Sequence, residues 1–329
     1  MLDALFLPYQ TTNLPTTPNP RKVSIIGTGQ VGMAIAYAMV IQNCADEITL
    51  VDANEEKALG EAMDLHHGLS FVSPTKVCAG GLEDCKDSDV IVLTAGTKRK
   101  VGETRLELVG RNIGIFKNII PPLAKVAPNA IFLVVSNPVD IMTYAAWRFS
   151  GLPASSVIGS GTILDTARFR ALLSQKLELD PHNVHAYIIG EHGDSEVPVW
   201  SSLQVAGTPL QKAFPNMGTG NDPWTELFEK VKDAAQEVIR RKGATCYAIG
   251  LGTTRLVKAI LSNQQHIFTT SCHIDGPYGI SDVYLSLPAV IGRKGVERLV
   301  QLHLSPQEEK KLHHSSRVLR EVIESQDFS

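Results

Sequence analysis

Residues 23–32 read VSIIGTGQVG, and this stretch decides the fold of the first half of the chain. The apolar run at residues 23–26 is typical of a buried strand, and the glycines after it form a GxGxxG pattern. Residues 30–43 are rich in Ala, Met, Val and Ile, which predicts a helix packed on a sheet. A glycine-rich turn between a buried strand and a helix indicates an alternating β/α chain.

The spacing of this turn is that of a dinucleotide-binding site. Gly27 permits the tight turn, Gly29 lets the backbone approach a pyrophosphate, and Gly32 allows the helix to pack on the strand. Asp52 lies 20 residues beyond Gly32, where a carboxylate accepts hydrogen bonds from ribose hydroxyls and repels a 2′-phosphate. NAD is therefore predicted rather than NADP; a tight turn without a ligand is the alternative. The predicted cofactor-binding residues are Gly27, Gly29, Gln30, Val31, Gly32 and Asp52, with Thr94, Ala95 and Gly96.

The chain has 329 residues, and at roughly 150 residues per domain this indicates two domains. Further β-rich runs at residues 47–51, 89–94 and 131–136 predict an α/β fold, a Rossmann-type doubly wound parallel sheet. We expect an NAD-binding domain at residues 21–161 and a second, α+β substrate domain at residues 162–329. Residues 1–20 are a Thr/Pro-rich arm that either frays or lies on a neighbouring subunit.

The second half of the chain carries several local signals. We expect a helix from about Thr162, a strand at residues 186–189, and a long helix around residues 223–262. Ser305, Pro306 and Glu308 have the spacing of a capping box, which predicts the start of the last helix.

Composition excludes several classes of protein. The net charge is −3, so there is no basic excess for nucleic-acid binding, and no apolar run reaches the ~18 residues of a membrane span. Five scattered cysteines are typical of reduced thiols, and the N-terminus lacks the positive region of a secretion signal; both favour a cytoplasmic protein. His66 and His67 lack the spacing of metal ligands, so no metal is predicted.

To carry out a reaction, an NAD-binding fold also needs a proton donor and a substrate anchor. His192 follows a predicted strand within a polar loop, and His is the usual acid/base near neutral pH. Asp165 and Arg168 have i, i+3 spacing, so an aspartate that orients a histidine and an arginine that holds a carboxylate would share one helix face. The alternatives are a structural histidine and a plain intrahelical salt bridge.

These residues lie in motifs that resemble the NAD-dependent L-lactate/L-malate dehydrogenase family, and most closely its bacterial lactate dehydrogenase branch. The resemblance covers about residues 21–326. Its markers are GTGQVG at 27–32, MDLHHG at 63–68, GETRLELVGRN at 102–112, VVSNPVD at 134–140, GSGTILDTARFR at 159–170, IIGEHGDSEVPVW at 188–200 and KGAT at 242–245.

The resemblance implies a role for each matching residue. His192 is the proton donor and acceptor, Asp165 orients it, and Arg168 binds the substrate carboxylate. Arg105, on a loop that closes over the site, polarises the reacting carbonyl. Asn137 hydrogen-bonds near the substrate oxygen and the nicotinamide, and Thr245 lines the pocket for the substrate side chain. A nucleotide-binding regulatory module without catalysis is the rival interpretation, and it would not need these residues together.

Arg99 departs from the lactate pattern. The matching position is usually Gln in lactate dehydrogenases and Arg in malate dehydrogenases, where it pairs with the second carboxylate of oxaloacetate. A buried charge without its partner costs about 3–5 kcal/mol, so Arg99 predicts substantial oxaloacetate/L-malate activity, with oxaloacetate preferred to pyruvate. The alternative is a strict pyruvate/L-lactate enzyme in which Arg99 faces solvent beside Lys98 and Lys100.

The resemblance also implies regulation and assembly. Arg170 and His185 match the pair that binds fructose 1,6-bisphosphate in allosteric bacterial lactate dehydrogenases; two unrelated surface polar groups are the alternative. The family further implies a homo-oligomer, a dimer of dimers.

Overall fold

The computed structural model describes residues 20–97, 105–220 and 222–328, apart from the side chain of Arg105. The predicted N-terminal arm lies outside the described residues except for Pro20. The strands are β1 Lys22–Ile26, β2 Glu47–Val51, β3 Lys76–Ala79, β4 Val90–Leu93, β5 Ile131–Val134, β6 Val157–Gly159, β7 Val184–His185, β8 Ile188–Ile189, β9 Val197–Pro198, β10 Gln204–Val205, β11 Thr208–Pro209, β12 His266–Ile274, β13 Val283–Gly292 and β14 Gly295–Leu299. The α-helices are α1 Gln30–Gln42, α2 Glu55–His67, α3 Arg105–Val126, α4 Val139–Ser150, α5 Ile163–Leu177, α6 Leu210–Ala213, α7 Pro223–Lys242, α8 Tyr247–Leu261 and α9 Pro306–Glu324.

The main sheet has the strand order β14-β13-β12-β6-β5-β4-β1-β2-β3. The strands from β3 to β6 are all parallel to their neighbours. Every residue of β4 and β5 is buried, which explains their uninterrupted apolar sequences, because parallel sheets are covered by helices on both faces. The doubly wound parallel sheet predicted from the sequence is confirmed.

The order of the strands reverses at β1, which lies between β2 and β4. Ligands of doubly wound sheets bind at such a switch point, outside the carboxyl ends of the strands. Gly27 follows β1, Asp52 follows β2 and Thr94 follows β4, so the fold brings three predicted cofactor residues to one edge of the sheet.

The second half of the chain adds mixed α and β structure. Strand β12 joins the main sheet antiparallel to β6 through Ser271 and Gly159, and β13 and β14 continue outward. Two small sheets, β11-β10-β7 and β8-β9, lie beside α5 and α7, which bury a second apolar core around Phe169 and Phe228. This half therefore extends the large sheet and adds two small sheets of its own.

Two predictions for the second half are wrong. The single helix expected at residues 223–262 is two helices, α7 and α8, because Gly243 adopts a left-handed φ of 85° and its N–H caps the end of α7. The strand expected at residues 186–189 is only Ile188–Ile189, and it is separate from β7. The predicted capping box at Ser305 is confirmed, with both of its hydrogen bonds formed.

None of the helices within residues 20–97, 105–220 and 222–328 combines the length and the hydropathy of a membrane-spanning segment.

Candidate active site

A cleft of about 650 Å³ opens at the switch point of the sheet. Predicted cofactor residues line it: Gly27, Gly29, Asp52, Thr94, Ala95 and Gly96. Helix α1 begins at Gln30, immediately after Gly29, and Val31 is its second residue. The free N–H groups of a helix start favour an anion such as a pyrophosphate. The cleft therefore joins a helix N-terminus suited to a phosphate to the carboxylate of Asp52.

The three glycines of the motif differ in whether the folded chain would tolerate a larger residue in their place. Gly27 has a φ of +105°, which L side chains rarely adopt, and a Cβ on Gly32 would overlap the carbonyl oxygen of Gly27. Gly29 has an ordinary φ of −73°, and a Cβ there would meet no atom within 4 Å. The folded chain itself therefore requires glycine at positions 27 and 32 but not at 29. The open space beside Gly29 fits the backbone approach of a dinucleotide pyrophosphate.

This difference predicts the behaviour of a matched pair of variants. We expect Gly29→Ala to fold with unchanged thermal stability but to bind NADH about tenfold more weakly, because its methyl group takes up space needed by the pyrophosphate. We expect Gly32→Ala to lower the thermal stability, because overpacking a tight contact typically costs about 1–3 kcal/mol. Calorimetry of unfolding and of NADH binding separates the two effects. Unchanged NADH affinity in Gly29→Ala would contradict this placement of the cofactor.

Asp52 also fastens the glycine-rich turn. Its Oδ2 accepts hydrogen bonds from the backbone N–H and the hydroxyl of Thr28 at 2.7 and 2.9 Å, and its Oδ1 accepts one from the N–H of Asn54 at 3.0 Å. Burial opposes ionisation, but these hydrogen bonds and the charge of Lys57 outweigh it and hold the pKa of Asp52 below its usual value. A fixed negative charge at the ribose end of the cleft fits NAD.

Hydrogen bonds hold the neighbouring strand ends together. Thr94 Oγ1 donates to the carbonyl oxygen of Gly27, at 2.8 Å, so its role includes the turn itself. Asn112 on α3 donates from Nδ2 to the carbonyl oxygen of Asn137 at 3.0 Å. The exposed Asn137 side chain accepts from the N–H of Val139 at 3.2 Å, which fixes the loop between β5 and α4.

His192, Asp165 and Arg168 meet although they come from different parts of the chain. Asp165 Oδ2 lies 2.6 Å from His192 Nδ1, and Asp165 Oδ1 lies 2.9 Å from Arg168 Nη1. The Asp165 side chain is only 5% exposed. The intrahelical ion pair considered from the sequence is present, but the same carboxylate also binds the histidine. One carboxylate thus fixes both a potential proton donor and a potential carboxylate anchor.

The charges of this cluster favour a protonated histidine. Burial alone would lower the pKa of His192, but the Asp165 carboxylate outweighs it and raises the pKa to about 9. Burial would raise the pKa of Asp165, but His192 and Arg168 outweigh it and lower that pKa. At neutral pH the ring of His192 therefore carries a proton that it can give to a reacting oxygen.

Two residues that the sequence analysis did not single out hold the His192 loop in place. Asp140 on α4 accepts a hydrogen bond from the backbone N–H of His192 at 2.7 Å, and Ser315 on α9 accepts one from the N–H of Glu191 at 2.6 Å. Burial raises the pKa of Asp140 to about 6. A carboxylate within the apolar sequence of α4 was the available signal, because buried charges require partners.

The remaining predicted residues lie in different places. Thr245 is half-buried in the turn between α7 and α8. Arg170 on α5 donates from Nε to the carbonyl oxygen of Ala186, beside His185. Arg99 and the side chain of Arg105 lie outside the described residues.

Two family models match nearly the whole chain. The model described as "lactate/malate dehydrogenase, NAD binding domain" matches residues 21–159, and that described as "lactate/malate dehydrogenase, alpha/beta C-terminal domain" matches residues 162–327. The chain belongs to the lactate/malate dehydrogenase family. It is an NAD-dependent enzyme of 2-hydroxy-acid chemistry, which excludes the regulatory module without catalysis.

Individual relatives support this membership. The chain is 55% identical to an L-lactate dehydrogenase of Synechococcus sp. (strain JA-3-3Ab), over 92% of the chain and 99% of the relative. It is 52% identical to an L-lactate dehydrogenase of Gloeobacter violaceus over the full length of both. The structure of a minor L-lactate dehydrogenase from Enterococcus mundtii superimposes with a TM-score of 0.88 at 44% identity, covering 94% of the chain and 99% of that structure.

Proposed function

We propose that the chain reduces pyruvate to L-lactate reversibly with NADH, and that Arg99 extends the activity to oxaloacetate and L-malate. The single observation that carries the proposed chemistry is the carboxylate of Asp165, bound at once to His192 and Arg168. To reduce a 2-oxo acid with NADH, the protein must bind the carboxylate of the substrate and give a proton to its carbonyl oxygen.

Each residue has a distinct role in the proposed mechanism. Bound NADH supplies a hydride to the carbonyl carbon of the substrate. Arg168 holds the substrate carboxylate through its planar guanidinium, and His192 gives the proton on Nε2 to the carbonyl oxygen. Asp165 holds the Nδ1–H and stabilises the imidazolium, as in other His–Asp pairs. Arg105 stabilises the negative charge that develops on the oxygen. Asn137 hydrogen-bonds near the substrate oxygen and the nicotinamide, and Thr245 lines the side-chain pocket.

The raised pKa of His192 sets the pH dependence of this reaction. Reduction needs the charged imidazolium, so its rate should hold up to about pH 9 and fall above it. Oxidation needs the neutral ring, so its rate should rise over the same interval.

Two observations bear on the substrate. The relatives at 52% and 55% identity are named L-lactate dehydrogenases, which supports pyruvate. Arg99 supports oxaloacetate, because a guanidinium that faces the pocket pairs with a second carboxylate but is left without a partner by a methyl group.

The decisive comparison uses both acids on the same preparations. We expect Arg99→Gln to shift the ratio of kcat/KM for oxaloacetate to that for pyruvate by about a hundredfold toward pyruvate, since about 3 kcal/mol is at stake. Lys98→Gln removes a neighbouring charge and is the matched control. If Arg99→Gln had the same kcat/KM as the wild type for each of the two acids, Arg99 would not face the substrate. The proposed function would then be reduced to the L-lactate reaction.

We also propose that fructose 1,6-bisphosphate binds near Arg170 and His185. Arg170 is half-buried and lies over the ring of Tyr187, with a centroid distance of 5.4 Å, and burial lowers its pKa. The pKa of nearby His266 is lowered by burial and then by Arg255 and Arg170, which indicates clustered positive charge. Neither arginine forms an ion pair with an acidic side chain among the described residues, so a phosphate could supply the missing charge.

A homo-oligomer, a tetramer by analogy with the family, is part of the same proposal. Helices α1 and α8 cross where Gly250 approaches Ala34, and beside this crossing large apolar side chains face outward. Tyr37, Ile41, Tyr247 and Leu251 are all more than half exposed, and Tyr247 reaches 74%. Such side chains are typical of a contact between subunits.

The free thiols of all five cysteines support a cytoplasmic location.

Effector and assembly can be tested together. We expect fructose 1,6-bisphosphate to lower the KM for the 2-oxo acid about tenfold and to increase the sedimentation coefficient, as a coupling of 1–3 kcal/mol would. Arg170→Gln should abolish both responses, whereas Arg317→Gln, an exposed arginine on α9, should retain them. A wild-type enzyme that shows neither response would contradict the effector site.

A further inference from the structure

Glu196 is a third carboxyl group in the cluster around His192. One of its oxygens, one oxygen of Asp165 and one ring nitrogen of His192 all lie within 4.8 Å of one another. The residue is 8% exposed, and its Oε1 is buried with no hydrogen-bond partner among the described residues. A change in the charge of Glu196 therefore acts directly on the His192–Asp165 pair.

Asp165 and Glu196 are neighbouring carboxyl groups, and they differ in how readily each one ionises. Asp165 has two cationic partners in contact, His192 and Arg168, and so it holds the negative charge. Glu196 forms no ion pair within the part of the chain that the structure describes. Burial, followed by the charge of Asp165, raises the pKa of Glu196 to about 8, against the opposing effects of His192, Lys232 and Arg168. At neutral pH Glu196 therefore holds a proton and no charge.

Glu196 also borders a second cleft, of about 370 Å³, which shares no lining residue with the cofactor cleft. This second cleft lies between the His192 loop, α7 and α9. Besides Glu196, its titratable groups are Glu191, Asp194, Glu229, Lys232, Lys311 and His314. On the inner side, Asp165 and His192 lie within 4.8 Å of Glu196. Arg168 pairs with Asp165, and Asp140 accepts from the backbone N–H of His192. Glu196 therefore lies between this second cleft and the His192–Asp165 pair.

We infer that Glu196 is a positioning residue for the proton donor: it is neutral during turnover at neutral pH, and when it ionises in alkaline solution it holds the proton on His192. This role rests on the proposed function of His192. His192 and Glu196 then lose their protons as a coupled pair, and the second loss occurs at a higher pH than an isolated histidine–aspartate pair would show.

The test measures the proton on His192 directly. Histidine labelled with ¹⁵N gives the titration of the His192 ring by NMR, with its signal assigned by its absence in His192→Asn. We expect E196Q, which keeps the shape of the side chain but cannot ionise, to lower the midpoint of the His192 titration by about one pH unit. The rate of 2-oxo acid reduction at pH 9 relative to pH 7 should then fall about fivefold.

Two further variants complete the test. E196D keeps the ionisable group one methylene farther away, so its midpoint should lie between those of the wild type and E196Q. E229Q removes a carboxylate from the same cleft, but that side chain is 57% exposed, and it should leave the midpoint unchanged. A wild-type midpoint in both E196Q and E196D would overturn the inference. A shifted midpoint in the NMR titration with an unchanged pH–rate profile would uphold it and would contradict the role of His192 as proton donor.

Discussion

Replacing His192 by Asn should lower kcat for 2-oxo acid reduction by about a thousandfold, because a positioned general acid contributes about 10²–10⁴-fold. Asn is smaller than His, but its amide keeps a hydrogen-bond donor on the side of Asp165, which now lies 2.6 Å from His192 Nδ1. It has no transferable proton near neutral pH. The cleft proposed to bind NADH is not lined by His192, so we expect the affinity for NADH to stay within about twofold. Stopped-flow measurement of hydride transfer, together with NADH titration, checks both expectations.

His182→Asn is the matched control for this variant. His182 is also paired with an aspartate, Asp180, at 2.7 Å, but its side chain is 92% exposed, so its loss should not change kcat. A His192→Asn enzyme within tenfold of the wild type would mean that another group supplies the proton.

The second large effect is expected for Arg168→Lys. Lysine keeps the positive charge but loses the planar pair of N–H donors that matches a carboxylate. We expect kcat/KM for the 2-oxo acid to fall about a thousandfold, mainly through KM, since weakening a buried charge pair costs about 2–5 kcal/mol. Steady-state kinetics over a wide range of substrate concentration measure the change.

Arg240→Lys provides a control of the same geometry. Arg240 pairs with Glu237 at i, i+3 spacing and 2.8 Å, as Arg168 pairs with Asp165, but both side chains of this surface pair are largely exposed. Exposed pairs contribute only about 0–1 kcal/mol, so neither activity nor stability should change appreciably. If Arg168→Lys behaved like Arg240→Lys, the ion pair of Arg168 would be structural only.

The parts of the fold that were predictable depend on short-range patterns. The glycine turn and Asp52 are separated by 20 residues of one β/α unit, and the Asp165–Arg168 pair by less than one helical turn. Such spacings specify geometry locally. The cleft at the switch point followed from them because the carboxyl ends of parallel strands share one edge of the sheet.

The parts that were missed depend on contacts between distant residues. Asp140 binds the backbone of His192 across 52 positions in the chain, and Glu196 reaches Asp165 only after α5 and the His192 loop have packed together. The break between α7 and α8 was missed for a different reason. Gly243 follows three basic residues at 240–242, which is the pattern of a helix end, but the helix prediction continued through it to the apolar residues of α8.

The most direct measurement is a crystal structure of the enzyme with NADH and oxamate, an unreactive analogue of pyruvate. We expect His192 Nε2 to lie about 3 Å from the central oxygen of oxamate, Arg168 to bind its carboxylate with two hydrogen bonds, and the pyrophosphate to lie against Gly29. A complex in which oxamate binds beyond hydrogen-bond reach of both His192 and Arg168, or in which the dinucleotide lies away from the glycine turn, would contradict the proposed active site.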